Sequence, residues 1–396
     1  MVDLTNNTNF TIQEKRQCEN KYCDNVIANT HCQAQGSYSE TTECLNFSEE
    51  KSRNNMLTIL PLEKKPWIQT YQLRNYELGL LQNKQPWVFS KYINIYYDQR
   101  IFNHLMLTGR YFEKDKVMQV QKFRFNRSIL SFHAINFTEW VCKLIEDGWY
   151  LYGLLDEYYI KAKPAHNKLH FRHSLLLYGI DKREELFYAI GYVKGYYEPF
   201  TITFSEFLNA FWSDFNRNVE SYIETDIDKI EFDAFRLNPE YQFEFDLKEV
   251  YLGIDNYLNS TNPKKKVRKN CIFGIQCEHY FIKYILEEKV KDKPYLDPRF
   301  SRFFMEMKDL MHKRLDCLAN MGYIPVDLVE EYHPLVEKQN MIHMLFLKYN
   351  LRNNDATVNT IVSTMSEIIP QETEILLKVR DELLNQLKEQ EAAEYC

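Results

Sequence analysis

Three runs of hydrophobic residues in the middle of the chain predict β-strands, near residues 149–155, 173–180 and 186–193. A strand with one solvated face alternates apolar and polar residues, whereas these runs are apolar almost without interruption. We therefore expect strands that are covered on both faces.

Helices are predicted on both sides of these strands. Asn136 and Glu139 form an N-terminal capping pattern, the apolar residues that follow recur every three or four positions, and Gly148 ends the helix. Thr203 and Glu206 form a capping box for a second helix. This mixture of helices and strands indicates an α+β fold.

Beyond residue 240 the pattern becomes helical and stays so to the end of the chain. Apolar residues recur every three or four positions within 247–258, 303–318, 342–349 and 376–387. Stripes at this spacing are the buried faces of packed helices. We therefore predict a mostly α-helical C-terminal half.

These patterns divide the chain into four parts. Residues 1–56 are polar and are predicted to form a flexible arm, and residues 57–215 form the α+β domain. Residues 216–240 are a connector rich in Asp and Glu, and residues 241–396 form the helical domain. A length of 396 residues allows two or three domains.

Composition narrows the class of protein. The net charge is −7, and the one basic run, at 264–269, is too short for a general nucleic-acid surface. No segment reaches the ~18 apolar residues of a membrane span, and the N-terminus lacks the features of a secretory signal. Nine cysteines, an odd number in a long chain, indicate reduced thiols. We expect a cytoplasmic protein with neither a membrane nor a nucleic acid as partner.

A histidine at the start of the second strand is the first candidate for chemistry. His173 is expected to act as a general acid or base, although a histidine at a strand end is often bonded only to a backbone carbonyl. Asp156, which ends the preceding strand, and Asp181, in a Gly-x-Asp turn, are candidates to orient its ring; Asp in such a turn commonly bonds the turn backbone instead. Glu157 is predicted to lie on the surface. The next strand is expected to bring residues 189–191 beside His173, and they include no carboxylate or amide.

Neither a metal nor another cofactor is predicted. His166, His170 and His173 have a spacing that suggests a metal site, but residues three apart on a strand face opposite sides, so the last two would not share an ion. The cysteines of the N-terminal arm include no C-x2-C pair, which structural zinc sites usually contain. Gly-rich phosphate-binding loops are also missing from the sequence.

Short motifs are spread over most of the chain after residue 57. They are Leu60-Pro61, Pro86-Trp87, Asp156-Glu-Tyr-Tyr159, His170 and His173, Tyr178-Gly-x-Asp181, His312 with Arg314, Leu315 and Leu318, and Leu347-Lys348-Tyr349. They resemble the papain-like domain at the N-terminus of butirosin biosynthesis protein H, and in particular the stand-alone relatives that accompany nonribosomal peptide and polyketide assembly lines. The resemblance implies a papain-like, cysteine-protease-like half with an antiparallel sheet.

The resemblance also implies an activity. The family's better-studied members are acyltransferases that move an acyl group from a carrier-protein thioester, through a cysteine, to an amine. We therefore expect an acyltransferase or condensation enzyme of natural-product biosynthesis, with its acyl donor on the phosphopantetheine of a carrier protein. The expected partners are an acyl or peptidyl carrier protein or synthetase module, a small amine acceptor, and a second copy of the chain.

The chain departs from this family at the nucleophile. The family's cysteine begins a long helix early in the domain, but residues 66–81 contain no cysteine, and Thr70 or Tyr71 stands near its place. A hydroxyl is a much weaker nucleophile than a thiolate unless it is specially activated. Cys32 and Cys44 of the arm are the candidate replacements; alternatively, the amine attacks the thioester directly.

Two other functions remain open at this stage. One is a non-catalytic accessory protein that kept the fold and binds a carrier protein or synthetase module. The other is a cysteine peptidase or amidase, which would need the same nucleophile.

Overall fold

The computed structural model describes residues 56–98, 104–107, 120–126, 136–213, 231–262 and 271–394. The chain divides into two compact units, one of residues 1–64 and 122–236 and the other of residues 65–121 and 237–396. Residues 65–121, which we expected in the first domain, therefore group with the helical residues.

Ten strands and eight α-helices lie in the described residues. The strands are β1 (Leu57–Ile59), β2 (Ile95–Asp98), β3 (His104–Leu107), β4 (Val120–Asn126), β5 (Tyr150–Asp156), β6 (Arg172–Asp181), β7 (Leu186–Val193), β8 (Tyr196–Thr203), β9 (Glu231–Leu237) and β10 (Cys271–Phe273). The helices are α1 (Gln72–Leu81), α2 (Phe137–Glu146), α3 (Phe204–Trp212), α4 (Leu247–Leu258), α5 (Gln276–Lys289), α6 (Pro298–Asn320), α7 (Val326–Arg352) and α8 (Asp355–Glu394). This confirms the predicted α+β class and the mostly helical C-terminal half.

The first unit is built on a seven-stranded antiparallel sheet in the order β4-β9-β5-β6-β7-β8, with β1 paired to the far end of β6. The three strands predicted from the hydrophobic runs are β5, β6 and β7.

β9 lies within the expected connector, where its charged residues obscured a strand. Phe232 and Ala234 are fully buried, whereas Asp233 binds Arg124 of β4 at 2.6 Å. β9 is therefore a strand whose charged side is neutralised by its neighbour.

Two helices contribute to the hydrophobic core of this unit, and both begin at the predicted caps. The Asn136 side chain accepts a hydrogen bond from the backbone N–H of Glu139, and Thr203 forms a reciprocal capping box with Glu206. Phe137 of α2 lies 4.4 Å from the ring of Phe211 of α3, measured between ring centroids. The caps fix where each helix begins, and the aromatic contacts join the two helices over the sheet.

A fully buried arginine orders the start of the second unit. The Nε of Arg314 donates to the carbonyl oxygen of Phe89 at 2.8 Å, and its Nη2 donates to those of Lys91 and Tyr92. The Phe89 carbonyl lies in the 3-10 turn Trp87–Ser90 and the other two directly follow it, so one buried side chain satisfies three backbone acceptors of this segment. Two of the sequence motifs, at Pro86-Trp87 and at Arg314, thus meet in the structure.

The five helices α4 to α8 each contribute one residue to a buried polar cluster. Lys308 binds both Glu278 and Glu372, Tyr257 donates to both carboxylates at 2.7 and 3.0 Å, and Tyr332 donates to Glu372 at 2.5 Å. Burial raises the pKa of Glu278 to about 7, because repulsion from Glu372 adds to it and attraction to Lys308 does not cancel it. One ammonium therefore serves two carboxylates, and Glu278 holds its proton at mildly acidic pH.

The raised pKa makes stability depend on pH. Between about pH 4.5 and 7 the folded chain holds a proton on Glu278 that the unfolded chain releases, so this residue's contribution to stability falls as pH rises through that window. Glu278→Gln removes the proton exchange, so the difference between the unfolding free energies of wild type and variant should change by about 2 kcal/mol between pH 5 and 8.

Urea denaturation at four pH values measures this difference. Glu287→Gln, at an exposed position on the same helix, is the matched control and should follow the wild-type curve. Parallel curves for wild type and Glu278→Gln would contradict the assignment of the proton to Glu278.

Candidate functional site

Two acidic residues at the end of β5 lie beside the start of β6. β5 ends at Asp156, and the 3-10 turn Glu157–Tyr159 follows directly. In the antiparallel pairing, Leu155 is opposite His173. The sequence thus brings consecutive carboxylates to a segment that carries two histidines three residues apart, and each carboxylate binds one of them.

The first pair joins Asp156 and His170. Asp156 is fully buried; its Oδ2 lies 2.7 Å from Nδ1 of His170 and accepts a hydrogen bond from the Ser213 hydroxyl at 2.6 Å. Its Oδ1 accepts from the backbone N–H groups of Tyr158 and Phe171. With four donors around it, this carboxylate is held in one orientation. The His170 ring also stacks on Tyr158, with 4.2 Å between centroids.

The second pair joins Glu157 and His173. Glu157 is 1 % exposed, and its Oε1 lies 2.9 Å from Nδ1 of His173 and 3.2 Å from Nζ of Lys163. Lys163 is also buried and donates to the backbone carbonyl of Tyr192. Within the described residues, Oε2 of Glu157 has no hydrogen-bond partner. Both contacts therefore converge on a single carboxylate oxygen.

His173 and Lys163 both favour the ionised form of the Glu157 carboxyl. Burial would raise the pKa of Glu157, but the hydrogen bond from His173 and the charge of Lys163 outweigh it and lower that pKa. Burial lowers the pKa of Lys163 more than attraction to Glu157 raises it. An ionised carboxylate only accepts hydrogen bonds, so Nδ1 of His173 is the donor, and in the neutral ring Nε2 is the basic atom.

Aromatic side chains surround His173. Its ring is stacked with Tyr192 at 5.9 Å and tilted against Phe171 at 5.6 Å between centroids. Phe171 and the nearby Leu169 are 39 % and 41 % exposed, although both are large and apolar. His173 itself is about one-third exposed. A partly exposed imidazole thus lies next to a buried carboxylate and an apolar surface.

The partner of His173 differs from the expected one. Asp156 does orient a histidine, but that histidine is His170. Glu157, which we predicted to lie on the surface, is buried and binds His173, so that prediction was wrong. The signal that could have found it is its position: it directly follows a strand end that pairs with the segment carrying both histidines.

Asp181 has the turn role that its motif allowed. Its Oδ1 accepts from the backbone N–H groups of Arg183 and Glu184 at 3.0 and 3.1 Å. It lies at the opposite end of β6 from His173, about 25 Å away at the usual rise of a strand. It therefore does not orient the His173 ring.

The predicted neighbours of His173 on β7 were also wrong. Residues 189 and 190 pair with Leu177 and Leu176. Continuing this antiparallel register toward the start of β6 places the end of β7, near Val193, opposite His173. In this chain the orienting group comes from the turn before β6.

Cys32 and Cys44 lie outside the described residues. Among the cysteines described, Cys142 belongs to the first unit, where it is packed in the core of α2 and burial raises its pKa to about 11. A thiol with that pKa is almost fully protonated at neutral pH and is a poor nucleophile. Cys142 is therefore a core residue, as its neighbours in the sequence suggested.

The residues that stand near the family's cysteine position are bound within the second unit. The backbone N–H and the hydroxyl of Thr70 both donate to Oε2 of Glu306, at 3.1 and 2.7 Å. The Tyr71 ring packs 5.4 Å from that of Phe303. Thr70 is thus a donor to a buried carboxylate, and the Tyr71 ring is part of an aromatic contact.

The described ranges contain no group of three or more His, Cys, Asp and Glu residues arranged to hold a metal ion. No helix in this part of the chain is long and apolar enough to cross a membrane.

No protein-family model matches this chain, and no curated protein matches it. The two histidine–carboxylate pairs and the sequence motifs are therefore the basis for assigning a function.

The two candidate aspartates should respond differently to the same substitution. Asp156→Asn places an amide donor against the Ser213 hydroxyl and the His170 ring, and should lower the free energy of unfolding by about 2–4 kcal/mol. Asp181→Asn keeps an acceptor for the exposed turn amides, and should cost less than about 1 kcal/mol. Urea denaturation at pH 7 measures both; similar losses would contradict the distinct roles of the two side chains.

Proposed function

We propose that this chain is an acyltransferase of natural-product biosynthesis, with a papain-like first half. It would move an acyl group from a carrier-protein thioester to a small amine, with His173 as general base. The contact between Nδ1 of His173 and the buried Glu157 carboxylate carries the proposal. The motifs that resemble the butirosin-biosynthesis-H type of domain supply the reaction class.

The reaction requires one proton transfer at each stage. As the amine nitrogen bonds to the thioester carbonyl carbon, it must lose a proton, and Nε2 of His173 would accept it. As the carbon–sulfur bond breaks, the imidazolium would return that proton to the leaving thiolate. Glu157 would stabilise the imidazolium between the two stages, as a buried carboxylate does in other histidine-dependent acyl transfers.

Two routes to the product share this step. In one, the amine attacks the carrier-bound thioester directly. In the other, Cys32 or Cys44 first takes the acyl group, and the amine then attacks the acyl-enzyme. In both routes the thioester supplies the energy for the amide bond, so the reaction needs neither a nucleotide nor a metal. The cytoplasm is where we place the reaction, with a carrier protein or synthetase module as its partner.

A second candidate is a non-catalytic accessory protein that binds a carrier protein or synthetase module. The bonding of Thr70 to Glu306 favours it, because the place of the family's nucleophile has become part of the packing of the second unit. Such a protein would bind the carrier without changing its thioester.

Substitution of His173 tests the acyltransferase directly. His173→Ala should lower the rate of amide formation from acyl-pantetheine thioesters and a panel of small primary amines by about 10²–10⁴-fold, because the proton acceptor is lost. Amide formation is followed by mass spectrometry. His279→Ala, an exposed histidine of the second unit, is the control and should leave the rate unchanged.

Intact-mass analysis in the same experiment separates the two routes. An acyl adduct lost only in Cys32→Ala or only in Cys44→Ala names the nucleophile, whereas product without an adduct supports direct attack. A folded His173→Ala variant with the wild-type rate would exclude the general-base role. Thioesters left intact in every sample, together with binding of an acyl carrier protein in a separate pull-down, would favour the accessory protein.

A further inference from the structure

The buried ammonium of Lys163 has no part in the proton transfers described above. Lys163 lies between β5 and β6 in the chain, and its side chain is 1 % exposed. Its Nζ binds Oε1 of Glu157 at 3.2 Å, donates to the carbonyl of Tyr192, and lies 4.6 Å from the centroid of the Phe200 ring. A lysine is rarely buried to this extent unless its charge is compensated.

The Lys163 ammonium matters for His173 because both groups bind the same oxygen of Glu157. Oε1 of Glu157 receives both Lys163 and Nδ1 of His173. A buried carboxylate next to an imidazole normally favours the charged ring, since opposite charges attract strongly where water is excluded. Here the carboxylate already has a cationic partner, so its pull on a proton at His173 is reduced.

We propose that Lys163 is a positioning residue for His173: its ammonium shares Oε1 of Glu157 with Nδ1 of His173, and so weakens the attraction of that carboxylate for a charged ring while holding it in place as the acceptor for Nδ1. This inference rests on the proposed role of His173 as the general base. It explains why a cation should be buried here at all, when Glu157 and His173 alone could form a pair.

The adjacent pair provides a contrast within the same structure. Asp156 binds His170 and is surrounded by the Ser213 hydroxyl and two backbone N–H groups, which are neutral donors. The other charged group that acts on the Lys163 ammonium is Glu198 of β8, which is exposed and favours the charged lysine. The Arg172 guanidinium also attracts Asp156, but the donors other than His170 that bond directly to the Asp156 oxygens are neutral, whereas an ammonium bonds directly to Oε1 of Glu157.

The test is an NMR titration of the full chain with ¹⁵N-labelled imidazole rings. In Lys163→Met, the pH at which Nε2 of His173 gains its proton should rise by about one unit or more relative to wild type. Lys163→Gln keeps an amide donor to Glu157 and Tyr192 without the charge, and should move the same pH in the same direction. This second variant separates the charge from the hydrogen bond and serves if Lys163→Met does not fold.

Two controls accompany these variants. Lys163→Arg keeps the cation, and Lys161→Met removes an exposed lysine two residues away; both should stay within about 0.3 unit of wild type, since neither removes the buried charge. If folded Lys163→Met or Lys163→Gln protein gains the proton on Nε2 of His173 at the same pH as wild type, the proposal is overturned.

The titration does not depend on turnover, so it is independent of the activity measurements. A higher pH of protonation of His173 in the Lys163 variants would support the role of Lys163, whatever the activity measurements show. A wild-type rate of amide formation in His173→Ala would at the same time reject the proposed function. If acyl transfer is observed, the acidic limb of its pH profile should move upward in Lys163→Gln, which a purely structural role would not produce.

Discussion

The candidate site depends on one buried contact, in which a single oxygen of Glu157 holds both His173 and Lys163. Without an anion at that point, Nδ1 of His173 would lose this acceptor, and the buried ammonium would keep the carbonyl of Tyr192 and the ring of Phe200 but lose its opposite charge. The contact exists because two consecutive acidic residues, Asp156 and Glu157, stand where β5 ends and a 3-10 turn begins, and because His170 and His173 lie just before and at the start of β6. Antiparallel pairing then brings each carboxylate to its own imidazole.

The second unit also buries charged side chains, in a cluster to which five helices contribute. Its helices pack through apolar stripes, yet their centre contains a lysine shared by two glutamates, and two tyrosine hydroxyls donate to these carboxylates. Burying these groups costs free energy, and the net contribution of such clusters to stability is often small. What they do provide is a requirement that five particular helices meet in one arrangement. Arg314 has the same effect on the segment that follows Trp87.

Sequence patterns predicted the elements well where they depend on local chemistry. The three apolar strands, the caps at Asn136 and Thr203 and the helical stripes depend on residues close together in the chain, so their signals are visible there. His173 was identified for its position at the start of a strand. Glu157 was misjudged because burial is a tertiary property, and nothing beside a glutamate in the sequence reveals a lysine that will neutralise it. β9 was missed for the same reason, since Arg124 pairs with its aspartate from more than a hundred residues away.

The pairing register of β6 and β7 was the other feature that could not be predicted from the sequence. The pairing of Asp181 with Leu186 and of Leu176 with Ile190 places the end of β7, not residues 189–191, opposite His173. A hydrophobic run indicates where a strand lies but not which residues face each other across the pair. The expected orienting position on β7 was therefore wrong, and the group that replaces it comes from the opposite side of β6 in sequence. The nucleophile that the family resemblance implies is a question for Cys32 and Cys44, which lie outside the described residues.

The central claim is that Glu157 fixes His173 with its proton on Nδ1, so that Nε2 is the basic atom. The ¹⁵N chemical shifts of the His173 ring in the unmodified protein, measured at a pH above the end of its own titration curve, test this most directly. We predict a protonated Nδ1 and an unprotonated Nε2. In Glu157→Gln we expect the ring to be a mixture of its two neutral tautomers. A ring with its proton on Nε2 would contradict the account, because that atom could not then accept a proton from an attacking amine.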